Sequence, residues 1–176
     1  VVTVGGVNHY KKNATAFASY GFNASLGDTQ LYKYVNGTET ALGDTFNNGD
    51  ILSIALDLDN YKMYAFINGS EPSGQSISSG TALVTLPTST TGYEILIGTT
   101  CDDGAGNNRT RQKTNFGNPS FSISSGNSDG NGYGNFEYSV PSGYLALCTQ
   151  NLATALSPTI DDGSAYFDTQ LYTGTG

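Results

Sequence analysis

Gly49-Asp50-Ile51-Leu52-Ser53-Ile54-Ala55-Leu56-Asp57-Leu58-Asp59-Asn60-Tyr61-Lys62-Met63-Tyr64-Ala65-Phe66-Ile67-Asn68-Gly69 reads as two β-strands folded back on each other at Asp59-Asn60. Leu52, Ile54, Leu56 and Leu58 alternate with Ser53, Ala55, Asp57 and Asp59, the period-two pattern of a half-buried strand. The return strand sets Met63, Ala65 and Ile67 on one face and Lys62, Tyr64 and Phe66 on the other. It stops at Asn68-Gly69, residues that accept the positive φ angles of a tight hairpin turn.

Outward from this hairpin the same grammar recurs. Tyr32 to Val35 and Thr38 to Leu42 alternate on either side of Asn36-Gly37, a second hairpin. Further strands are expected over residues 15–20, 82–86, 94–98, 112–116, 121–123 and 144–148, at the close spacing of a sandwich or barrel. Segments 101–108 and 124–135 are rich in Gly, Asn, Asp and Ser and read as loops. Charged residues make up only 12% of the chain and 23 residues are Gly. No Ala/Leu/Glu/Lys-rich run suggests a helix, so the expected class is all-β, a turn-rich antiparallel β-sandwich. A chain of 176 residues fits one domain with its own core. We place that domain at 1–150 and read 151–176 as a tail that wraps the surface or leads to a further module. The first residue is Val1 and the last residues are Tyr172-Thr-Gly-Thr-Gly176, so the chain is expected to be a piece of a longer polypeptide.

Charge narrows the partners. The net charge is −8, and the basic residues cluster only at Lys11-Lys12 and around Arg109, Arg111 and Lys113. A nucleic-acid surface needs more clustered cations than this, and an anionic membrane is disfavoured on the same ground. No apolar run approaches the length of a membrane span.

Catalytic patterns are sparse. The one histidine, His9, would have to serve any Ser-His-Asp or Cys-His site, and it cannot build a zinc site with Cys101 and Cys148 alone. Those cysteines read as two small apolar residues rather than a required disulfide. Asp57 and Asp59 share a strand face, but their expected role is to end the strand and shape the turn at Asn60, not acid/base work. The run Asn127-Ser-Asp129-Gly-Asn131-Gly132 spaces oxygen side chains as an EF-type loop does, yet Tyr138 stands where the closing Glu belongs. Cys101-Asp102-Asp103-Gly104 is equally incomplete. No metal and no cofactor are expected. Asn-x-Ser/Thr sequons at Asn13, Asn23, Asn36, Asn68 and Asn108 arise easily in so Asn- and Thr-rich a chain.

The central hairpin resembles the SPRY domain: Gly49-Asp50-Ile51, then Leu56-Asp57-Leu58-Asp59, then Tyr64-x-Phe66-x-Asn68-Gly69. Ala18-Ser-Tyr-Gly-Phe22 is similar to that family's Gly/Tyr-rich strand. Asn115-Phe116-Gly117-Asn118-Pro119-Ser-Phe121 and Pro141-x-Gly143-Tyr144-x-Ala146-Leu147 resemble its later motifs. The likeness runs over about residues 15 to 148. The tail, with Cys148-Thr-Gln-Asn-Leu152, Pro158-Thr-Ile160, Asp161-Asp-Gly-Ser164 and Leu171-Tyr-Thr-Gly174, is similar to the continuation found after SPRY domains in virion proteins of tailed bacteriophages. It departs in having Leu152-Ala153 where Pro is usual and in the longer insert at 124–135.

The resemblance implies a sandwich of two antiparallel sheets and no enzyme activity. It implies a virion structural or recognition module, on a tail fibre or capsid appendage, that contacts other virion subunits or a host receptor or glycan. A homo-oligomer is compatible with that role, as is an architectural spacer that binds only its neighbours. Loop residues Asp102, Asp103, Asn107, Asn127, Asp129, Asn131 and Tyr133 are the candidate contacts, since Tyr and small polar residues make adaptable binding surfaces. The alternative is a lectin-like carbohydrate-binding module of a secreted protein, weakened by the absence of Trp.

Overall fold

The Asn-Gly pairs decide where the chain reverses. In the computed structural model, which describes residues 20–25, 29–88 and 113–156, Asn36 and Gly37 hold φ of 52° and 76°. Positive φ at both positions is the geometry that matches the right-handed twist of flanking strands. Strands β2 (Gln30–Val35) and β3 (Thr38–Thr45) therefore close directly on this turn, with Val35 opposite Thr38 and Tyr34 opposite Glu39. The Tyr34 hydroxyl donates to Glu39 across that pair. β1 (Gly21–Ser25) lines the other side of β2, antiparallel, to complete a three-stranded sheet.

The second sheet is built on β4 (Leu52–Asp57) and β5 (Lys62–Ile67), antiparallel from Leu52 opposite Ile67 to Asp57 opposite Lys62. β4 stops at Asp57 because its carboxylate turns back to accept from the Asn60 backbone N–H at 3.0 Å and the Asn60 side chain at 2.9 Å. Leu58, expected inside, consequently sits in the turn and is 48% exposed. β6 (Val84–Thr85) pairs with the start of β5, a shorter strand than the 82–86 expected.

Leu52, Ile54, Ala65 and Val84 of the second sheet share one apolar cluster with Phe22 and Leu31 of the first. The protein is thus all-β at its centre, two antiparallel sheets drawing on a common core. The half-buried expectation for β4 and β5 needs correction. Ser53 and Ala55 are buried as well, and Tyr64 and Phe66 form a second cluster with Ala55, packed by Ile77, Ala82 and Tyr144. The chain after β5 returns over this face. The Gln75 side chain accepts from the Ala65 N–H at 2.9 Å and donates to the Ala65 carbonyl at 2.7 Å, as the backbone of a neighbouring strand would. The Tyr144 ring meets Tyr64 edge-to-face at 6.3 Å.

Other differences lie in the C-terminal half. Described residues of the expected strands 112–116, 121–123 and 144–148 are irregular backbone, ordered by side chains rather than by a ladder. Residues 149–156 form helix α1 (Thr149–Leu156) where the sequence suggested no helix. Gln150, Leu152, Ala153, Ala155 and Leu156 are good helix formers that the β-rich surroundings obscured. The expected strand 94–98 and residues 15–19 lie outside the described residues. No described helix is long and apolar enough to cross a membrane.

Candidate functional site

The short loop entering β4 is a hydrogen-bonded knot. The Asp50 carboxylate accepts from the Asn47 N–H at 2.7 Å and from the Asn68 side chain at 2.7 Å. Asn68 in turn accepts from the Ile51 N–H at 2.9 Å through Oδ1, and its own N–H reaches the Ile51 carbonyl at 2.9 Å. The bond from the Asn68 side chain, then that from the Asn47 backbone, holds the Asp50 carboxyl below its ordinary range. Gly49-Asp50 and Asn68-Gly69, far apart in sequence, are therefore one structural unit that ties the entrance of β4 to the exit of β5. Gly69 has φ 78°, and a Cβ there would lie 2.7 Å from the Tyr138 ring. The glycine lets Tyr138 cover the turn.

Tyr138 belongs to the far wall of a cleft of about 590 Å³. One wall is the β4 entrance, Ser53, Phe66, Gly69, Glu71 and Ile77; the other is Lys113, Asn115, Phe121, Ile123 and Phe136 to Pro141. Each element of the second wall is set by a polar side chain. Asn115, 6% exposed, accepts from the Gly117 N–H at 2.7 Å and donates to the Asn135 carbonyl at 2.8 Å. Gly117 lies so close to Gly134 and Ala146 that a Cβ would come within 3.3 Å of the Gly134 backbone. The Glu137 carboxylate accepts from the Ser124 N–H at 2.8 Å and from the Ser124 and Ser125 hydroxyls, bonds led by Ser124 that lower its pKa. Glu71 accepts from the Ile77 N–H. Lys113 reaches over the Phe121 ring, 5.3 Å from its centre.

A second constellation gathers the loop candidates. Asp129 is 6% exposed and its carboxylate takes four hydrogen bonds. Oδ1 accepts from the N–H groups of Asn131 and Tyr133, both at 2.9 Å. Oδ2 accepts from the Ala146 N–H at 2.8 Å and the Asn151 side chain at 2.7 Å. Burial pushes this carboxyl up, but the bonds from Ala146, Asn151, Tyr133 and Asn131 together outweigh it and hold it at about 2. A carboxylate so fully occupied stays ionised and acts as a tether. Asn127 exchanges backbone bonds with Phe136 at 2.8 Å, and its side chain donates to the Glu137 carbonyl at 3.0 Å. Asn131 donates to Asn151 at 2.9 Å. Tyr133 keeps its ring outside, 41% exposed, above a locked backbone.

Asn127, Asp129, Asn131 and Tyr133 thus lie together, but in a knot that anchors α1 and not on the cleft wall. Asp102, Asp103, Asn107 and Cys101 lie outside the described residues. Asp57 and Asp59 sit at the β4–β5 turn, where bonding from the Asn60 side chain, against the opposing effect of burial, lowers the Asp57 pKa. Phe116 is 39% exposed. Pro141 accepts from the Tyr144 N–H at 3.1 Å across Gly143, whose φ is 84°, a turn that delivers Tyr144 onto Tyr64. Burial raises the Tyr144 phenol to about 12.

Sequence reasoning did not choose Lys113, Phe121, Glu137 or Tyr138, which line the cleft, as site residues. Among the described residues no group of three His, Cys, Asp or Glu could hold a metal ion. No family model, curated protein or solved structure matches this chain. Chemically, the cleft offers aromatic surface, one ammonium and carboxylates already engaged by the chain's own N–H groups.

Proposed function

We propose that this chain is a non-enzymatic recognition module of a tailed-bacteriophage virion, carried on a tail fibre or capsid appendage. In this reading its two sheets form a SPRY-like sandwich. The observation that carries the reading is the commitment of the cleft's carboxylates. Asp50, Glu71 and Glu137 each accept from backbone N–H groups, which suits them to hold loops in shape and not to shuttle protons. What the cleft presents instead is preformed shape: Phe66, Ile77, Phe121 and Tyr138 around a volume of about 590 Å³. Preformed, mostly apolar concavities with few polar groups are what binding sites look like. The resemblance of the sequence motifs to SPRY domains supports a partner that is a macromolecule on the host or on a neighbouring subunit.

The test is retention of the fluorescently labelled protein by host cells, compared with Phe121→Ala. Phe121 is half-buried and its loss should leave both sheets intact. Saturable staining by the wild type that falls about tenfold in the variant, the loss of roughly 1.4 kcal/mol, supports the reading. Equal staining by the two removes the cleft from recognition. Rings on the cleft wall also suit a sugar face, and binding on a glycan array that is competed by free saccharide would favour the lectin-like alternative.

A further inference from the structure

Two turns of this protein form a matched pair. Asn36-Gly37 and Asn68-Gly69 each close a two-residue hairpin loop, with φ of 52° and 76° in the first and 49° and 78° in the second. A hydroxyl residue, Thr38 or Ser70, comes after each. Their side chains differ. The Asn68 amide is held at both ends, accepting from the Ile51 N–H at 2.9 Å and donating to Asp50 at 2.7 Å, and Gly69 lies under Tyr138. Asn36 is exposed, and no described residue hydrogen-bonds its side chain.

We propose that Asn36 is a site of spontaneous deamidation and that Asp50 protects Asn68 from the same reaction. The Gly37 backbone nitrogen, giving its proton to water, attacks Cγ of Asn36. The new N–Cγ bond closes a succinimide ring, the Cγ–Nδ2 bond breaks, and Nδ2 leaves as ammonia after taking up a proton. Water then opens the ring at either carbonyl, leaving aspartate or isoaspartate, with no change of oxidation state. Glycine favours the attack because no Cβ crowds its nitrogen. At Asn68 the amide must first swing away from Ile51 and Asp50, and losing two hydrogen bonds slows the step by about tenfold or more. Conversion at Asn36 adds one negative charge to a chain already at −8. The isoaspartyl product also lengthens the two-residue loop that sets the β2–β3 register.

Peptide mapping by mass spectrometry after incubation of the folded protein in mildly alkaline buffer tests the proposal. Asn36 should convert about tenfold or more faster than Asn68, and the ratio should collapse toward one in urea, where both turns are open. In Asp50→Ala the Asn68 rate should rise toward that of Asn36. Equal rates in the folded protein, or a difference that persists in urea, would overturn the assignment. An Asn68 rate unchanged in Asp50→Ala would overturn the protective role, and the urea comparison stands if that variant does not fold.

Discussion

At the scale of single residues, several acidic side chains among the described residues act as connectors. Asp129 is the fullest case, since four donors from three parts of the chain converge on it. Asp129→Asn replaces one acceptor oxygen by a donor and should cost about 2–3 kcal/mol in urea unfolding. Its pKa is depressed from 3.8 to about 2, so the stabilisation is fully present above about pH 4 and is lost as the pH falls through about 2. The stability gap between wild type and Asp129→Asn, followed by circular dichroism in urea, should therefore be full above about pH 4 and shrink as the pH falls through about 2. Gly69 is a second test at this scale. A Cβ at φ 78° and 2.7 Å from Tyr138 combines backbone strain with overpacking, and Gly69→Ala should lose about 2–4 kcal/mol. Adding Tyr138→Ala should return part of that loss, because only the steric portion is shared; strict additivity in the double-mutant cycle would contradict the contact.

At the scale of elements, the two hairpins were legible and the C-terminal half was not. Period-two alternation closed by a turn pair, Asn36-Gly37 in one hairpin and Asp59-Asn60 in the other, states strand and turn together, so β2–β3 and β4–β5 emerge from the residues themselves. The second buried face of β5 was hidden because its cover comes from Gln75, Ile77 and Tyr144, and nothing in a local pattern announces such a return. Gln75 fills a place in the ladder with an amide side chain. Gln75→Ala should strip the Ala65 N–H of its partner and raise its hydrogen-exchange rate while the Tyr64 and Phe66 N–H groups, which face β4 in the pairs with Ala55 and Ser53, stay protected. Segments 112–116, 121–123 and 144–148 read as strands, with 124–135 as a loop between them. Their order instead rests on bonds such as Asn115 to Asn135 and Asp129 to Asn151, 20 and 22 residues apart, which periodicity cannot register. For the candidate site the loop Asn127–Tyr133 was located as a unit, in which Asp129 is buried and engaged by four donors while Asn131 and Tyr133 stay exposed, and the cleft was missed because its walls come from separate segments of the chain.

At the scale of the whole molecule, two sheets sharing a core leave a cleft between a stapled strand entrance and an irregular arm. Both sides are held by carboxylates that serve as acceptors, and a concavity shaped in this way ahead of binding lowers the cost of ordering. The helix α1 is fastened to the same arm through Asn151. On the function proposed above, this surface grips a partner without changing it. The most direct measurement incubates the protein with purified host surface material and tracks bound protein and released fragments in one sample. Saturable binding that weakens in Phe121→Ala, with no fragments released, is the predicted result. Release of fragments that stops in Asp57→Asn or Asp59→Asn would contradict it.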